Sequence, residues 1–92
     1  MTIYQKTIEK WGKESQILLC IEECAELIQA LNKYLRAEAA GGREEAKARV
    51  REEMADVDIM LWQMESIFGT YTEEWETKVA RLERRLKNEP DE

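Results

Sequence analysis

Residues that interrupt helices stand at only a few places in this 92-residue chain, and their spacing constrains the fold more than any other feature. The four glycines are Gly12, Gly41, Gly42 and Gly69, and the one proline is Pro90. Between them lie long runs rich in Glu, Lys, Arg, Leu, Met and Ala, which have high intrinsic helix propensity. The sequence therefore predicts an all-α fold.

These boundaries predict four helices. They run from about Thr2 to Trp11, from about Lys13 into the Ala37–Ala40 run, from about Arg43 to Phe68, and from the Thr70–Glu73 segment to about Lys87. Thr70 and Glu73 have the spacing of a capping box, which would start the fourth helix. We expect residues 88–92 to fray, and we expect residues 1–92 to form a single domain because no linker divides the chain.

Apolar residues recur with three- and four-residue spacing along both long helices. The stripe of the second helix is Ile17, Ile21, Cys24, Ile28, Leu31 and Leu35, and that of the third is Val50, Met54, Val57, Leu61, Met64 and Phe68. We expect the stripes to be buried in a helical bundle built on a long antiparallel hairpin. Leu19 and Leu27 lie on other faces of the second helix, and so short a chain has little core to cover them. A homodimer or a dimer of dimers is therefore expected to complete the bundle.

Two acidic clusters about thirty residues apart interrupt this apolar pattern. Glu22, Glu23 and Glu26 form the first, and Glu53 and Asp56 form the second. Side chains three or four residues apart on a helix are neighbours, so pairing of the two helices would bring the clusters together. Glu53 lies within an apolar arc of the third helix and Asp56 lies at its edge, which favours a site over a solvated surface. The alternative interpretation is that the acids are ordinary solvated surface residues, above all Glu22. Carboxylates held this close repel one another, and a cation would relieve the repulsion.

Composition limits the chemistry of such a site. The chain has no histidine, which excludes imidazole-based zinc sites and histidine-dependent nucleophilic catalysis. Carboxylate oxygens favour a hard cation, Mg²⁺ or Mn²⁺ before Ca²⁺, and Mg²⁺ commonly binds carboxylates together with substrate phosphates. The net charge of −6 argues against binding of a nucleic acid polymer. No segment resembles a signal peptide or a membrane span, so we expect a cytoplasmic protein.

The two acidic clusters, taken in order, resemble the motifs of a known family. Glu-Glu-x-x-Glu at 22–26 followed by Glu-x-x-Asp at 53–56 is similar to the pattern of the MazG-type all-α nucleoside triphosphate pyrophosphohydrolases, whose superfamily includes dimeric dUTPases and dCTP pyrophosphatases. Trp11-Gly12 before the long helix agrees with this pattern. The resemblance implies a Mg²⁺-dependent hydrolase of nucleoside triphosphates. It would cut between the α and β phosphates to leave a monophosphate and pyrophosphate, as in housecleaning of the nucleotide pool.

The resemblance also implies roles for particular residues. The metal ligands would be Glu23, Glu26, Glu53 and Asp56. Glu22 would support them as an acid or base that orients water, and the spacing leaves open whether Glu22 or Glu23 takes the proton of that water. Lys78 and Arg81 resemble the family's phosphate-binding residues, although Thr77 stands where many members have Asn. Lys33, one heptad after Glu26, either meets a phosphate or neutralises neighbouring acids.

Two other functions fit the same composition. The chain would be a non-catalytic acidic helical interaction module if its carboxylates only solvate the surface. It would be a nucleotide-binding regulatory protein if it binds a nucleotide without hydrolysing it. Stabilisation of the fold by Mg²⁺ would count against the interaction module. Release of pyrophosphate would distinguish an enzyme from a nucleotide-binding regulatory protein.

Overall fold

The computed structural model describes residues 1–37 and 42–87. Within these ranges the chain forms four helices and no strands: α1 (Ile3–Trp11), α2 (Lys13–Arg36), α3 (Arg43–Phe68) and α4 (Thr72–Leu86). The all-α prediction is confirmed. The expected frayed tail at 88–92 lies outside the described residues, as does most of the segment expected to close the second helix.

Glycine ends α1 and α3 where the sequence predicts it. Gly12 has φ 95° and Gly69 has φ 98°, a backbone conformation that L side chains rarely adopt. The Gly12 N–H donates to the carbonyl of Ile8, and the Gly69 N–H donates to the carbonyl of Glu65. Each glycine thus satisfies a terminal carbonyl while turning the chain out of the helix.

The capping box lies at a different helix from the one predicted. Tyr71 is the N-cap of α4 and makes no side-chain capping bond, so the prediction for Thr70 and Glu73 is wrong. The reciprocal pair instead starts α1. The Gln5 N–H donates to Thr2 Oγ1 at 3.1 Å, and the Thr2 N–H donates to Gln5 Oε1 at 2.7 Å. Glutamine replaces glutamate in this box, because an amide oxygen accepts the same bond.

Packing of α2 against α3 forms the centre of the fold, and α1 packs against both. Thr7 Oγ1 of α1 donates to Gln63 Oε1 of α3 at 2.8 Å, and the rings of Tyr4 and Trp62 stack with centroids 5.8 Å apart. In the described part of the chain, α4 packs against none of the other helices. Among the described residues, three helices therefore pack around one another, and α4 is packed against none of them.

The two apolar stripes are largely exposed within one copy of the chain. Ala30 and Met60 are the apolar side chains buried among the described residues, while Ile28 and Phe68 are 60% and 70% exposed. Half-buried positions such as Val57 are the part of the stripes that does pack. One copy leaves them uncovered because α2 carries apolar residues around much of its circumference, so periodicity alone does not select the face that meets α3.

The resulting shape is flat and open. The Cα radius of gyration is 17.0 Å, where a compact domain of this length would have about 12 Å. The principal extents are 45 × 38 × 18 Å. Among the described residues, every helix is too short or too polar to cross a membrane.

Candidate metal centre

Both acidic clusters converge where α2 packs against α3. Glu23 and Glu26 lie one turn apart on α2, and Glu53 comes from α3. One carboxylate oxygen from each of the three lies within 4.8 Å of the others. The structure therefore brings together three of the four carboxylates that the sequence identifies as candidate metal ligands.

Glu53 is the most buried member of this group. Its exposed fraction is 3%, and its Oε2 accepts an ion-pair contact from Arg49 Nε at 3.3 Å. Its Oε1 is buried and has no hydrogen-bond partner among the described residues. Glu23 Oε1 is in the same condition. A buried carboxylate oxygen without a partner is unfavourable, and either a cation or proton uptake would relieve that cost.

The pKa directions agree with this geometry. Burial is the largest cause that raises the pKa of Glu23, and the charges of Glu26, Asp56 and Glu53 raise it further. Burial also raises the pKa of Glu53. Arg49 opposes that rise, and Glu26 and Asp56 add to it. Asp56 is exposed, yet its charge raises the pKa of both Glu23 and Glu53. It therefore lies at the edge of the cluster, as its position at the edge of the apolar arc predicts.

Arg49 is a member of the site that the sequence reasoning missed. The signal was present, because Arg49 stands four residues before Glu53 on one helix, a spacing at which opposite charges meet. Arg49 also lies 3.7 Å from Glu52, and its side chain is 62% exposed. One solvated guanidinium shared between two acids neutralises only part of the charge that four carboxylates gather here.

Glu22 and Lys33 lie on α2 near the cluster without joining it. Both are exposed. Glu22 is one turn before Glu26, and Lys33 is seven residues after it, or about 10 Å along the helix. These spacings put Glu22 and Lys33 on the same side of α2 as Glu26, at the two ends of the acidic stretch.

The structure does not bring Lys78 and Arg81 to the acids. Both belong to α4, which is apart from α2 and α3. A shallow groove lined by Glu73, Glu74, Thr77 and Lys78 runs along α4 itself, away from the cluster. Within one copy of the chain, these basic residues therefore have no contact with the candidate site.

The donor set fits a hard divalent cation. Three convergent carboxylates with a fourth at the edge offer oxygen ligands only, which suits Mg²⁺ and Mn²⁺. Comparison of the chain with family models, curated proteins and solved structures gives no match. Function is therefore inferred from the geometry of this site and from the motif resemblance.

Proposed function

We propose that the chain is a Mg²⁺-dependent nucleoside triphosphate pyrophosphohydrolase. The observation that supports this most is the convergence of Glu23, Glu26 and Glu53 from two separate motifs, with buried oxygens on Glu23 and Glu53 that lack a partner. The likeness to MazG-type motifs supplies the reaction. A (d)NTP would be cleaved between the α and β phosphates to a monophosphate and pyrophosphate, a soluble-nucleotide chemistry in keeping with the predicted cytoplasmic location.

We infer that α2 and α3 run antiparallel as a hairpin. The Arg43 guanidinium lies over the Tyr34 ring at 5.1 Å, and Glu26 lies opposite Glu53. The residue number on α3 rises as that on α2 falls, which is the pattern of antiparallel neighbours. This arrangement sets the two acidic motifs beside each other near the middle of the pair.

The residues present fit a bound magnesium or manganese ion. Glu23, Glu26, Glu53 and Asp56 would hold it, and the unpartnered Glu53 Oε1 is the atom whose burial requires it most. When bound, the ion would supply the positive charge that phosphoryl transfer needs beside the phosphates.

The surrounding side chains have distinct tasks in this reaction. Glu22, exposed one turn from Glu26, orients the attacking water and accepts its proton; Glu23, whose pKa is raised, is the alternative acceptor. The water oxygen bonds to the α-phosphorus, the bond from that phosphorus to the bridging oxygen breaks, and pyrophosphate leaves. Lys33, on the same side of α2, lies where it would neutralise part of the triphosphate charge.

Lys78 and Arg81 would take part in the reaction only in an oligomer. Because α4 is apart from the acidic cluster in its own chain, these residues would contact phosphate at the site of a second copy. This requirement is consistent with the homodimer or dimer of dimers that the sequence predicts. Mixing a Lys78→Ala variant with a Glu53→Gln variant tests it, since each is defective alone and a mixed oligomer would hold one site with both groups intact.

Pyrophosphate release tests the function itself. Metal-stripped protein would be supplied with each of the eight common NTPs and dNTPs, with Mg²⁺ or with excess chelator. Wild type should release pyrophosphate from at least one nucleotide only when Mg²⁺ is present. Glu53→Gln should lose this activity, while Glu52→Gln, the same substitution on an exposed neighbour, should retain it. Equal release by all three proteins, or release in chelator, would contradict the proposal.

The interaction-module alternative is favoured by one observation, the large exposed apolar surface of α2 and α3. A module without a site would show no pyrophosphate release and no stabilisation by Mg²⁺. A nucleotide-binding regulatory protein would be stabilised by nucleotide and Mg²⁺ together without releasing pyrophosphate.

A further inference from the structure

An apolar depression bordered by two cations lies where the C-terminal turns of α2 pack beside the N-terminal turns of α3. Its lining residues are Leu31 and Tyr34 of α2, and Lys47, Val50 and Arg51 of α3. Its volume is about 260 Å³. Ligand pockets in proteins usually have volumes of about 300–1,000 Å³, so this depression has room for a small molecule.

The depression and the acidic cluster lie on different sides of the α2–α3 pair. At about 100° per residue, Val50 and Lys47 lie about 60° and 120° around α3 from buried Glu53 in one sense. Asp56 lies about 60° from Glu53 in the opposite sense. A molecule in the depression would therefore leave the candidate metal centre accessible, and the two sites can be tested separately.

The lining of the depression favours an aliphatic chain. Leu31, which is 44% exposed, and half-buried Val50 supply aliphatic surface from the two helices. The Arg43 guanidinium lies over the Tyr34 ring at 5.1 Å and covers one of its faces. An aromatic ligand could not stack on that face, whereas an alkyl chain would bury apolar surface against Leu31 and Val50.

The two cations at the border favour an anionic head group. Lys47 and Arg51 stand four residues apart on α3, so their side chains are neighbours. Arg51 makes no ion pair among the described residues, because the adjacent Glu52 contacts Arg49 instead. Lys47 lies 3.6 Å from Glu44, but both side chains are exposed, and an exposed pair of this kind contributes little. The planar guanidinium of Arg51 matches a carboxylate with two parallel hydrogen bonds.

We propose that this depression is a binding site for a small aliphatic carboxylate. The alkyl chain contacts Leu31 and Val50, and the carboxylate accepts hydrogen bonds from Arg51 and Lys47. A neutral ligand would leave the two cations without a partner, and a purely polar anion would leave the apolar lining uncovered. The inference stands whether or not the chain hydrolyses nucleotides, because none of the candidate metal ligands lines the depression.

Titration of the full chain with octanoate at neutral pH, followed by the amide chemical shifts of the protein, tests the site. The shifts should saturate and be largest at the five lining residues. Acetate has the head group alone and octanol has the chain alone, so each should bind at least about tenfold more weakly than octanoate. Arg51→Gln should weaken octanoate binding by at least about tenfold, because a charge-assisted hydrogen bond is lost. The matched control is Arg84→Gln, which changes an exposed arginine on α4 and should bind like wild type.

The absence of saturable octanoate binding by wild type would overturn the inference, and so would equal affinity of Arg51→Gln and wild type. Octanol binding as tightly as octanoate would reduce the site to apolar partition and reject the role of the cations. An octanoate affinity that falls as protein concentration rises would assign the depression to a second copy of the chain instead. Shifts at the same residues with an acidic peptide of leucine and glutamate, but none with octanoate, would assign it to a protein partner. Because Arg51 is exposed, Arg51→Gln should fold like wild type.

Discussion

Magnesium should raise the melting temperature of the metal-free protein, and Glu53→Gln should remove most of that rise. Glu53 supplies one of three carboxylate oxygens within 4.8 Å and is the most buried of them. Free Mg²⁺ at about a hundred times its Kd stabilises a folded protein by about 2.7 kcal/mol. For a domain of this length each kcal/mol shifts the melting temperature by about 4–8 °C. We therefore expect a rise of about 11–22 °C for wild type.

The variant should respond far less because it loses a ligand. Changing even an outer-shell group weakens metal binding by up to about a hundredfold. At the same Mg²⁺ concentration, that weakening leaves about 0.4 kcal/mol of stabilisation, or about 2–3 °C. Without metal, the variant should melt no lower than wild type, because the neutral amide removes a charge that burial and two neighbouring acids disfavour.

Scanning calorimetry of chelator-treated protein at one fixed concentration measures both effects. Glu52→Gln is the matched control, since Glu52 is adjacent, exposed and paired with the same Arg49. It should show the full wild-type rise. Equal rises for wild type and Glu53→Gln would refute the assignment of the metal to this cluster, and the absence of a rise in wild type would refute the metal site altogether.

Because the pKa of Glu53 is raised, its contribution to stability is fully present below the ordinary carboxyl value of 4.5 and is lost as pH rises through the folded-state pKa. Urea unfolding without metal should therefore show Glu53→Gln gaining on wild type as pH rises, and a constant gap would contradict this. Asp56→Ala should abolish pyrophosphate release while Asp58→Ala, on the outer face, should not; equal release by both would remove Asp56 from the site. Met60→Ala should cost about 2–5 kcal/mol in urea unfolding because its side chain is buried, and a loss within the ~0.5 kcal/mol of a surface change would contradict the packing.

Helix boundaries were predictable because they depend on local backbone constraints. Gly12 and Gly69 end their helices with positive φ, a requirement that the residue type itself reveals. The start of α4 was misassigned because a capping box needs a side chain aimed at a backbone N–H, and spacing alone does not guarantee that orientation. The pair that does form, Thr2 and Gln5, has the same spacing.

The face of α2 that meets α3 was not predictable from periodicity. The stripe through Ile28 contains more apolar volume than the line through Ala30, yet Ala30 is the buried residue. A small side chain lets two helix backbones approach closely, whereas bulky residues hold them apart. Hydrophobic periodicity predicts that a helix face will be buried. It does not distinguish burial against the same chain from burial against another copy.

The candidate site was predictable where one helix decided the geometry. Glu53 inside an apolar arc was expected to be buried, and its 3% exposure agrees. The roles of Lys78 and Arg81 were predicted from the motif resemblance alone. The position of α4 relative to the acids depends on tertiary contacts, which no local sequence pattern encodes. Arg49 stands four residues before Glu53, so its ion pair with Glu53 was predictable from the sequence.

The α2–α3 pair carries its acidic cluster and its exposed apolar stripes on different sides. Repulsion between carboxylates is relieved by a cation or by proton uptake, and a large exposed apolar stripe is stabilised when another surface covers it. Placing both on one side would bury the acids under the partner, where their desolvation would oppose association. With Glu26 and Ile28 about 160° apart on the same helix, the proposed metal and the expected second copy would meet α2 on different sides. We therefore expect that substitution can remove either property without loss of the other.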